Sequence, residues 1–428
     1  MAGGASKEGG LVRILSGLTR TVVSAVCLAP MTAQSGPIFI EESARIELPD
    51  LAYQLRPVAP AVDGDTIVLV GADVRGGDFD DDEIFHAAFV FERRASDGTW
   101  QFVSKLLETH QDFRSEQWSE MAVAIEGGRL VINAEDATAG DIRRVYERGP
   151  AGWQPVADVV APPDVEDRGH DSEVDGSTFI VGSSNHLFGA SAYRRNAQGQ
   201  WNYIGSAAGA PNSIPCTARC TGADVDISGD TMIFAVPNPA EGESRAEIWD
   251  RTGGTTWTPV ATLPDPQDPV TVRALDAVAI EGNTILIGAR DLSNAPFNPI
   301  RSTNILEYAR TSAGWNLVDE VRTADAFVNV FEVGAVEFED GLAVASFPGD
   351  DHRGLETGSV AVFRRNASGR FEEVARLVAS GALTDQHGIG SQFEVSGKRV
   401  VAIGKPFFSG PIDRKSTRLN SSHPYRSR

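Results

Sequence analysis

Long hydrophobic runs are absent from this 428-residue chain, and no stretch reaches the ~18 apolar residues that a membrane-spanning helix needs. Basic residues are also scarce: 38 Lys and Arg stand against 59 Asp and Glu, which gives a formal net charge of −21. This balance argues against a nucleic-acid or anionic-membrane partner, because both require a basic face. It does not identify a positively charged partner, since an acidic surface mostly keeps a protein soluble.

Recognisable catalytic motifs are missing as well. The chain has no Gly-x-Ser-x-Gly elbow, no His-Glu-x-x-His and no phosphate-binding glycine loop between a strand and a helix. Its densest acid/histidine group is His170 with Asp164, Asp167 and Asp171, and connecting loops are commonly this polar without a function. The sequence therefore predicts no catalytic residues, no bound cofactor and no enzyme.

The N-terminus has the pattern of an export signal. Lys7, Arg13 and Arg20 form a basic lead, and an apolar core too short to span a membrane follows at 21–31. Small residues then precede Gln34, so we predict a signal peptide over 1–33, with a disordered leader as the alternative. The mature chain is expected to be exported to a periplasmic, extracellular or cell-surface location, without a transmembrane segment.

Cysteine is rare, with three residues in the chain. Cys27 would leave with the signal peptide, and a lipoprotein site there is disfavoured because Val26 occupies a position where a small residue is expected. Cys216 and Cys220 remain, and in an exported protein this pair indicates a local disulfide, with two free thiols as the alternative. A metal site would need a second Cys/His pair at suitable spacing, and the sequence has none.

The main positive signal is an internal repeat. A polar-Gly turn followed by a β-branched apolar run occurs seven times, at intervals of 49 to 63 residues. Each copy predicts a hairpin whose second strand is buried on both faces. The turns lie at positions 64, 127, 176, 229, 282, 340 and 397.

Between the turns, an alternating strand leads to a strand that opens with an aromatic residue. The opening residues are Trp100, Trp153, Trp201, Trp257, Trp315 and Phe371. One unit is therefore four strands in about 55 residues, which predicts an all-β, seven-bladed β-propeller over 34–412 with an incomplete last blade. We interpret the recurrent tryptophan as blade-to-blade packing rather than as a sugar-binding platform, because a binding site needs no sevenfold repetition.

These motifs resemble the FG-GAP repeat family, whose propellers occur in bacterial secreted proteins and in the integrin α head. The similarity is best at Asp63–Ala72, at Thr357–Arg364 and at Trp257–Leu263. It implies a secreted or cell-surface propeller with an interaction role. The opening Phe-Gly of the family unit is mostly missing, as in Gly388–Ser391, and only fragments of its Gly-Ala-Pro survive.

Many members of this family carry a calcium loop of the form Asp-x-Asp-x-Asp-Gly. The nearest counterpart here contains Asp78, Asp80 and Asp82, but Glu83 replaces the glycine that makes the sharp turn. No later bidentate acid is evident. The three aspartates are thus a weak calcium candidate, with a solvated acidic loop as the alternative.

The final segment, 413–428, differs in character from the repeats. Over Asp413–His423 it resembles a translated sequencing adapter, so we expect an artefactual tail and a truncated seventh unit, with a natural basic tail as the alternative. The segment Pro37–Leu48 resembles a fourth strand of the unit and is expected to close the ring against the seventh blade.

The sequence favours a secreted or cell-surface binding, adhesion or interaction module, because it combines export, repeats and acidity with no recognisable chemistry. Its partner would be a protein or a glycan, and the residues do not identify it. The alternatives are an extracellular enzyme with its site at the axial channel and a scaffold fragment of a longer surface protein. Converging carboxylates with a histidine at the axis would favour the enzyme, whereas apolar and small residues there would favour binding.

Overall fold

The structure is a computed structural model. It describes residues 23–27, 38–41, 44–46, 54–75, 83–111, 121–136, 140–160, 171–182, 188–208, 224–236, 245–264, 273–291, 303–322, 335–347, 350, 358–378, 389–397 and 399–404. All of them belong to one compact unit, Thr21–Phe407. Within these residues no helix is long and apolar enough to cross a membrane.

The chain folds as an all-β propeller with four-stranded antiparallel blades. The first blade contains β4 (Gln54–Asp63), β5 (Thr66–Arg75), β6 (Glu83–Arg93) and β7 (Trp100–Gln111). The second contains β8 (Ala122–Glu126), β9 (Arg129–Asp136), β10 (Gly140–Gly149) and β11 (Gly152–Val159). The third contains β12 (Ser172–Asp175), β13 (Thr178–Gly182), β14 (Phe188–Arg195) and β15 (Trp201–Ala208). The fourth blade contains β16 (Val225–Ser228), β17 (Thr231–Val236), β18 (Arg245–Gly253) and β19 (Thr256–Pro264). The fifth contains β20 (Arg273–Glu281), β21 (Thr284–Asp291), β22 (Thr303–Thr311) and β23 (Gly314–Arg322). The sixth contains β24 (Val336–Glu339), β25 (Leu342–Phe347), β26 (Ser359–Arg365) and β27 (Phe371–Val378).

The number of blades corrects the sequence-based count: the described residues form six blades of four consecutive strands, not seven. The described residues of the seventh repeat form the hairpin of β28 (Ile389–Ser396) and β29 (Arg399–Gly404). A further sheet joins this hairpin to two strands near the N-terminus, β1 (Val23–Cys27) and β3 (Ala44–Ile46), in the order β28-β29-β1-β3. The turn repeat therefore counts hairpins, and a hairpin is only half of a blade.

The N-terminal strands divide between two sheets. β3 takes the outermost place beside the seventh hairpin, whereas β2 (Ile38–Glu41) pairs in parallel with β27 at the edge of the sixth blade. The segment predicted to close the ring thus contributes to both sheets. β1 lies inside the predicted signal peptide, whose removal stays a prediction; the tail 413–428 lies outside the described residues.

The burial pattern within each blade follows the repeat. The second strand is buried on both faces, as its uninterrupted apolar sequence predicts: Ile67, Val68, Leu69 and Val70 are all fully buried. The turn before it depends on glycine, since Gly64 has φ of +53°, a left-handed conformation that side-chain-bearing residues rarely adopt. These central strands therefore form the hydrophobic core between neighbouring blades.

The recurrent aromatic residues pack between blades, which confirms the interpretation made from their periodicity. Trp201 of the third blade packs with Val131 and Val145 of the second. Trp257 of the fourth blade likewise packs with Ile180 and Ile204 of the third. Aromatic side chains bury large apolar areas, so each contact stabilises a boundary that a single blade could not cover.

In four of the six blades, the arginine two residues after the third-strand aromatic forms an ion pair with the preceding blade, whereas Arg93 and Arg251 pair within their own blades. The pairs between blades are Arg148 with Glu92 at 2.8 Å, Arg195 with Glu147 at 2.8 Å, Arg310 with Asp250 at 2.5 Å and Arg365 with Glu307 at 2.7 Å. The arginines are between about a third and a half exposed, so each pair stabilises the fold by no more than about 1 kcal/mol. They therefore supplement the apolar packing between adjacent blades.

Candidate functional site

A closed ring of hydrogen bonds links the seven inner hairpins. The last residue of each innermost strand accepts a hydrogen bond from the turn backbone of the next hairpin. The acceptor-to-turn pairs are Asp63 with Gly128, Glu126 with Gly176, Asp175 with Gly229, Ser228 with Gly282, Glu281 with Gly341, Glu339 with Gly397 and Ser396 with Gly64. This ring sets the axial register of the innermost strands, and hence the height of the side chains along the axis.

Side chains alternate along a strand, so the residue two positions before each acceptor lies on the same face of the innermost strand as that acceptor. Four of these positions carry carboxylates: Glu173, Asp226, Glu337 and Glu394. The other three carry alanine: Ala61, Ala124 and Ala279. The axis is therefore asymmetric: acids extend from the third, fourth and sixth blades and the seventh hairpin, whereas the three alanines are buried, and Ala61 and Ala279 pack in hydrophobic clusters between blades.

Three of these carboxylates meet at the axis. Single carboxylate oxygens of Glu173, Glu337 and Glu394 all lie within 4.8 Å of one another, although their strands β12, β24 and β28 belong to different sheets. Each side chain is half-buried and keeps some contact with solvent. They form what we call the axial triad.

Three aspartates interact electrostatically with the axial triad and reach across to the next blade. Asp171 accepts a hydrogen bond from the Val225 backbone N–H at 2.9 Å. Asp224 accepts one from Val278 at 2.7 Å, and Asp226 accepts one from Ile280 at 2.6 Å. These bonds fix the aspartates, whereas no such bond holds the triad among the described residues.

Burial and mutual repulsion raise the pKa of these carboxyl groups. Burial is the main cause for Glu173, Glu337 and Glu394, whose pKa values lie well above the usual range, and neighbouring carboxylates raise them further. Burial likewise raises the pKa of Asp226 to about 8, although backbone N–H groups from Ile280 and Ile227 oppose the shift. For Asp224, burial and then Asp171 raise the pKa. The group therefore holds protons at a pH where ordinary carboxyls are ionised.

The arrangement can take up positive charge. Within the part of the chain that the structure describes, the axial triad, Asp224 and Asp226 have no ion pair with a lysine, arginine or histidine. Protons, a protonated amine or a metal ion could each compensate for the charge that accumulates when several carboxyls ionise. Oxygen ligands of this kind suit hard cations.

Most of the site residues predicted from the sequence are not among those that the structure describes. Asp78, Asp80 and Asp82, the calcium candidate, and Cys216 and Cys220, the disulfide candidate, lie outside the described residues, and so does His170. Of the acid/histidine group, the structure describes Asp171, which is one of the three aspartates that interact with the axial triad. Sequence reasoning missed the triad. Alternation counted back from each turn would have identified the equivalent positions, which are acidic in four repeats and alanine in three, but not which of the acids meet.

No protein-family model matches the chain, and no curated protein does. Similar solved structures include an acylaminoacyl peptidase of Pyrococcus horikoshii, with 10% identity and a TM-score of 0.46 over 82% of this chain and 49% of that one. The aligned region thus spans about half of the peptidase. A lectin of Aleuria aurantia matches with 11% identity and a TM-score of 0.38, over 78% of this chain and 97% of the lectin. At such values these similarities carry no functional argument, and the fold that the strands themselves show is an all-β propeller.

Proposed function

We propose that the chain is an exported FG-GAP-like propeller that acts as a binding module, and that its ligand presents a positively charged group to the axial triad. The observation that carries this proposal is the convergence of Glu173, Glu337 and Glu394 within 4.8 Å, without a described cationic partner. The net charge of −21 would also attract such a ligand over a distance.

The geometry favours binding over the alternatives drawn from the sequence. Converging carboxylates are present at the axis, but the described residues place no histidine among them to serve as a base of ordinary pKa. A rigid ring with one asymmetric charged position is well suited to orient a ligand without rearrangement.

Isothermal titration with calcium chloride and with spermidine at pH 8 tests this proposal. Binding of at least one probe is expected, with affinity falling about tenfold, or about 1.4 kcal/mol, in Glu337→Gln. The matched control is Glu372→Gln, which removes the same charge from an exposed position on β27. A failure of both cations to bind the wild-type chain, or equal weakening by the two variants, would contradict a cation-binding axis.

A second candidate is an extracellular enzyme, because carboxyls of raised pKa beside other carboxyls are an arrangement that supports acid–base catalysis. A panel of chromogenic glycosides and esters, assayed with the wild type and with Glu173→Gln, distinguishes the two. Turnover that disappears in Glu173→Gln would favour the enzyme. Cation binding without any turnover would favour the binding module.

A further inference from the structure

The sheet β28-β29-β1-β3, which we call the seventh sheet, differs between its inner hairpin, β28 and β29, and its outer strands, β1 and β3. Its inner hairpin is joined to the rest of the ring by side-chain contacts: Glu339 accepts from Gly397 at 2.9 Å, and Ser396 Oγ accepts from Gly64 at 3.1 Å. Arg399 adds an ion pair with Asp65 at 2.7 Å. The ring therefore closes through contacts that β28 and β29 themselves make with both neighbouring blades.

The place beside β29 corresponds to the third strand of a blade. In all six blades, the second residue of the second strand is paired with an aromatic residue of the third. These pairs are Ile67 with Phe91, Leu130 with Tyr146, Phe179 with Tyr193, Met232 with Trp249, Ile285 with Tyr308 and Ala343 with Phe363. Each aromatic is followed two residues later by arginine: Arg93, Arg148, Arg195, Arg251, Arg310 and Arg365.

The strand that occupies this place in the seventh sheet lacks both features. β1 pairs with β29 in antiparallel register, with Val26 opposite Val400 where the six blades have an aromatic. Two residues later the sequence has Leu28 where they have arginine. β1 therefore satisfies the backbone of β29 but does not carry the side chains that the repeat provides at this position.

The surfaces on either side of this place are those of an ordinary blade boundary. On one face of β29, Val400 packs in a cluster with Val360 and Val362 of the sixth blade. On its other face, Val401 packs in a cluster with Phe89 of the first blade. A strand beside β29 thus continues two apolar interfaces, and cross-strand aromatic pairs contribute to the stability of such a sheet.

We propose that the edge of β29 is a strand-acceptor site for an extended peptide of the third-strand type, with an aromatic residue opposite Val400 and arginine two residues later, and that β1 is its displaceable occupant in the chain that retains residues 1–33. Main-chain hydrogen bonds would supply affinity and the aromatic residue would supply selectivity, as in other cases of strand addition. This inference is independent of the axial triad, so either can fail without the other.

A labelled peptide with the sequence of residues 357–365, which includes the third strand of the sixth blade, β26 (Ser359–Arg365), is the probe. Added in excess to the full wild-type chain, it is expected to speed amide hydrogen exchange at Val23–Cys27 about tenfold, while Arg399–Gly404 stay protected. A peptide carrying Phe363→Ala is expected to bind about tenfold more weakly by fluorescence anisotropy. Equal binding of the two peptides would overturn the assignment of an aromatic position.

A proline in β1 tests whether this strand competes. Since β1 lies between β29 and β3, Ala25→Pro removes an N–H that one of these neighbours would accept, and it should weaken the hold of β1. The peptide is then expected to bind about tenfold more tightly than it binds to the control Ala25→Val. Absence of peptide binding to the wild type and to both variants, with no change in exchange at β1, would overturn the proposal.

Discussion

At the residue scale, the axial carboxyls cost the fold stability when they ionise. The raised pKa of Glu337 means that the folded chain binds more protons than the unfolded chain above the ordinary pKa of glutamate, ~4.3. Its contribution to the free energy of unfolding is therefore highest at low pH and declines as pH rises toward its folded pKa. Glu394 and Glu173 behave in the same direction, because burial raises the pKa of each and the neighbouring carboxylates raise it further.

We accordingly expect Glu337→Gln to stabilise the protein at pH 8 and to have little effect at pH 5. The melting temperature should rise at pH 8 on the order of 2 °C relative to wild type, because the glutamine cannot acquire a charge. Differential scanning fluorimetry at both pH values measures this difference. The exposed Glu372→Gln serves as the control, and an equal shift in both variants, or a larger shift at pH 5, would contradict the repulsion.

Backbone geometry makes a second prediction at this scale. Gly390 and Gly369 both have positive φ, +89° and +83°, but they differ in surrounding space. A Cβ at Gly390 would lie 2.9 Å from Ser346 Cβ and 3.0 Å from Val360 Cγ2, whereas none of the described atoms lies within 4 Å of one at Gly369. Gly390→Ala should therefore cost about 3 kcal/mol and Gly369→Ala about 1 kcal/mol, measured by urea unfolding. Equal costs would show that strain, rather than crowding, dominates at both.

At the element scale, the innermost hairpins depend on contacts that each makes with the next. Glu281 accepts hydrogen bonds from the N–H groups of Asp340 at 3.1 Å and Gly341 at 3.3 Å. Asp340 has φ of +52°, uncommon for a residue with a side chain, so this turn needs outside support. Ser228 makes a single equivalent bond, with Gly282 at 3.0 Å.

We expect Glu281→Ala to lower the free energy of unfolding by about 1–2 kcal/mol and Ser228→Ala by about 0.5–1 kcal/mol, in proportion to the bonds removed. Urea titration with an unchanged m-value is the measurement. A larger loss for Ser228→Ala would show that the number of hydrogen bonds to the turn does not determine how much each hairpin contact contributes to the free energy of unfolding.

The sequence was informative about elements because local rules determine them. Alternation, glycine turns and the aromatic start of each fourth strand identified the hairpins, and the burial of Ile67–Val70 confirmed the core strands. The axial positions follow the same alternation, yet their meeting could not be derived. Glu173 and Glu394 are more than two hundred residues apart, and only the curvature of the whole ring brings them together.

At the scale of the whole molecule, one boundary joins the beginning of the ring to its end. Arg399 forms an ion pair with Asp65 and a hydrogen bond with the Gly64 carbonyl, and Ser396 accepts from the Gly64 N–H. A closed ring has no free sheet face, so weakening this boundary should expose both of its sides at once. The other blades need not open with it.

Arg399→Ala should therefore reduce stability by about 1 kcal/mol, because Asp65 is mostly exposed and the pair is solvent-screened. Amide hydrogen exchange should speed up in β4, β28 and β29 before it does in β12–β15. The control is Arg94→Ala, whose partner Asp97 lies within the same turn. Uniform acceleration of exchange over all sheets would contradict a local opening at the boundary between the first blade and the hairpin of β28 and β29.

The sequence by itself determined the all-β class, the four-strand unit and the positions of the turns, because these depend on side-chain alternation and on glycine within a few residues. Only the tertiary structure decided the number of complete blades and the pairing of β1 with β29, because strand partners distant in the chain compete for the same edge. It likewise decided the axial triad: carboxylates that are unremarkable in their own repeats become a mutually repelling group once the ring closes around them.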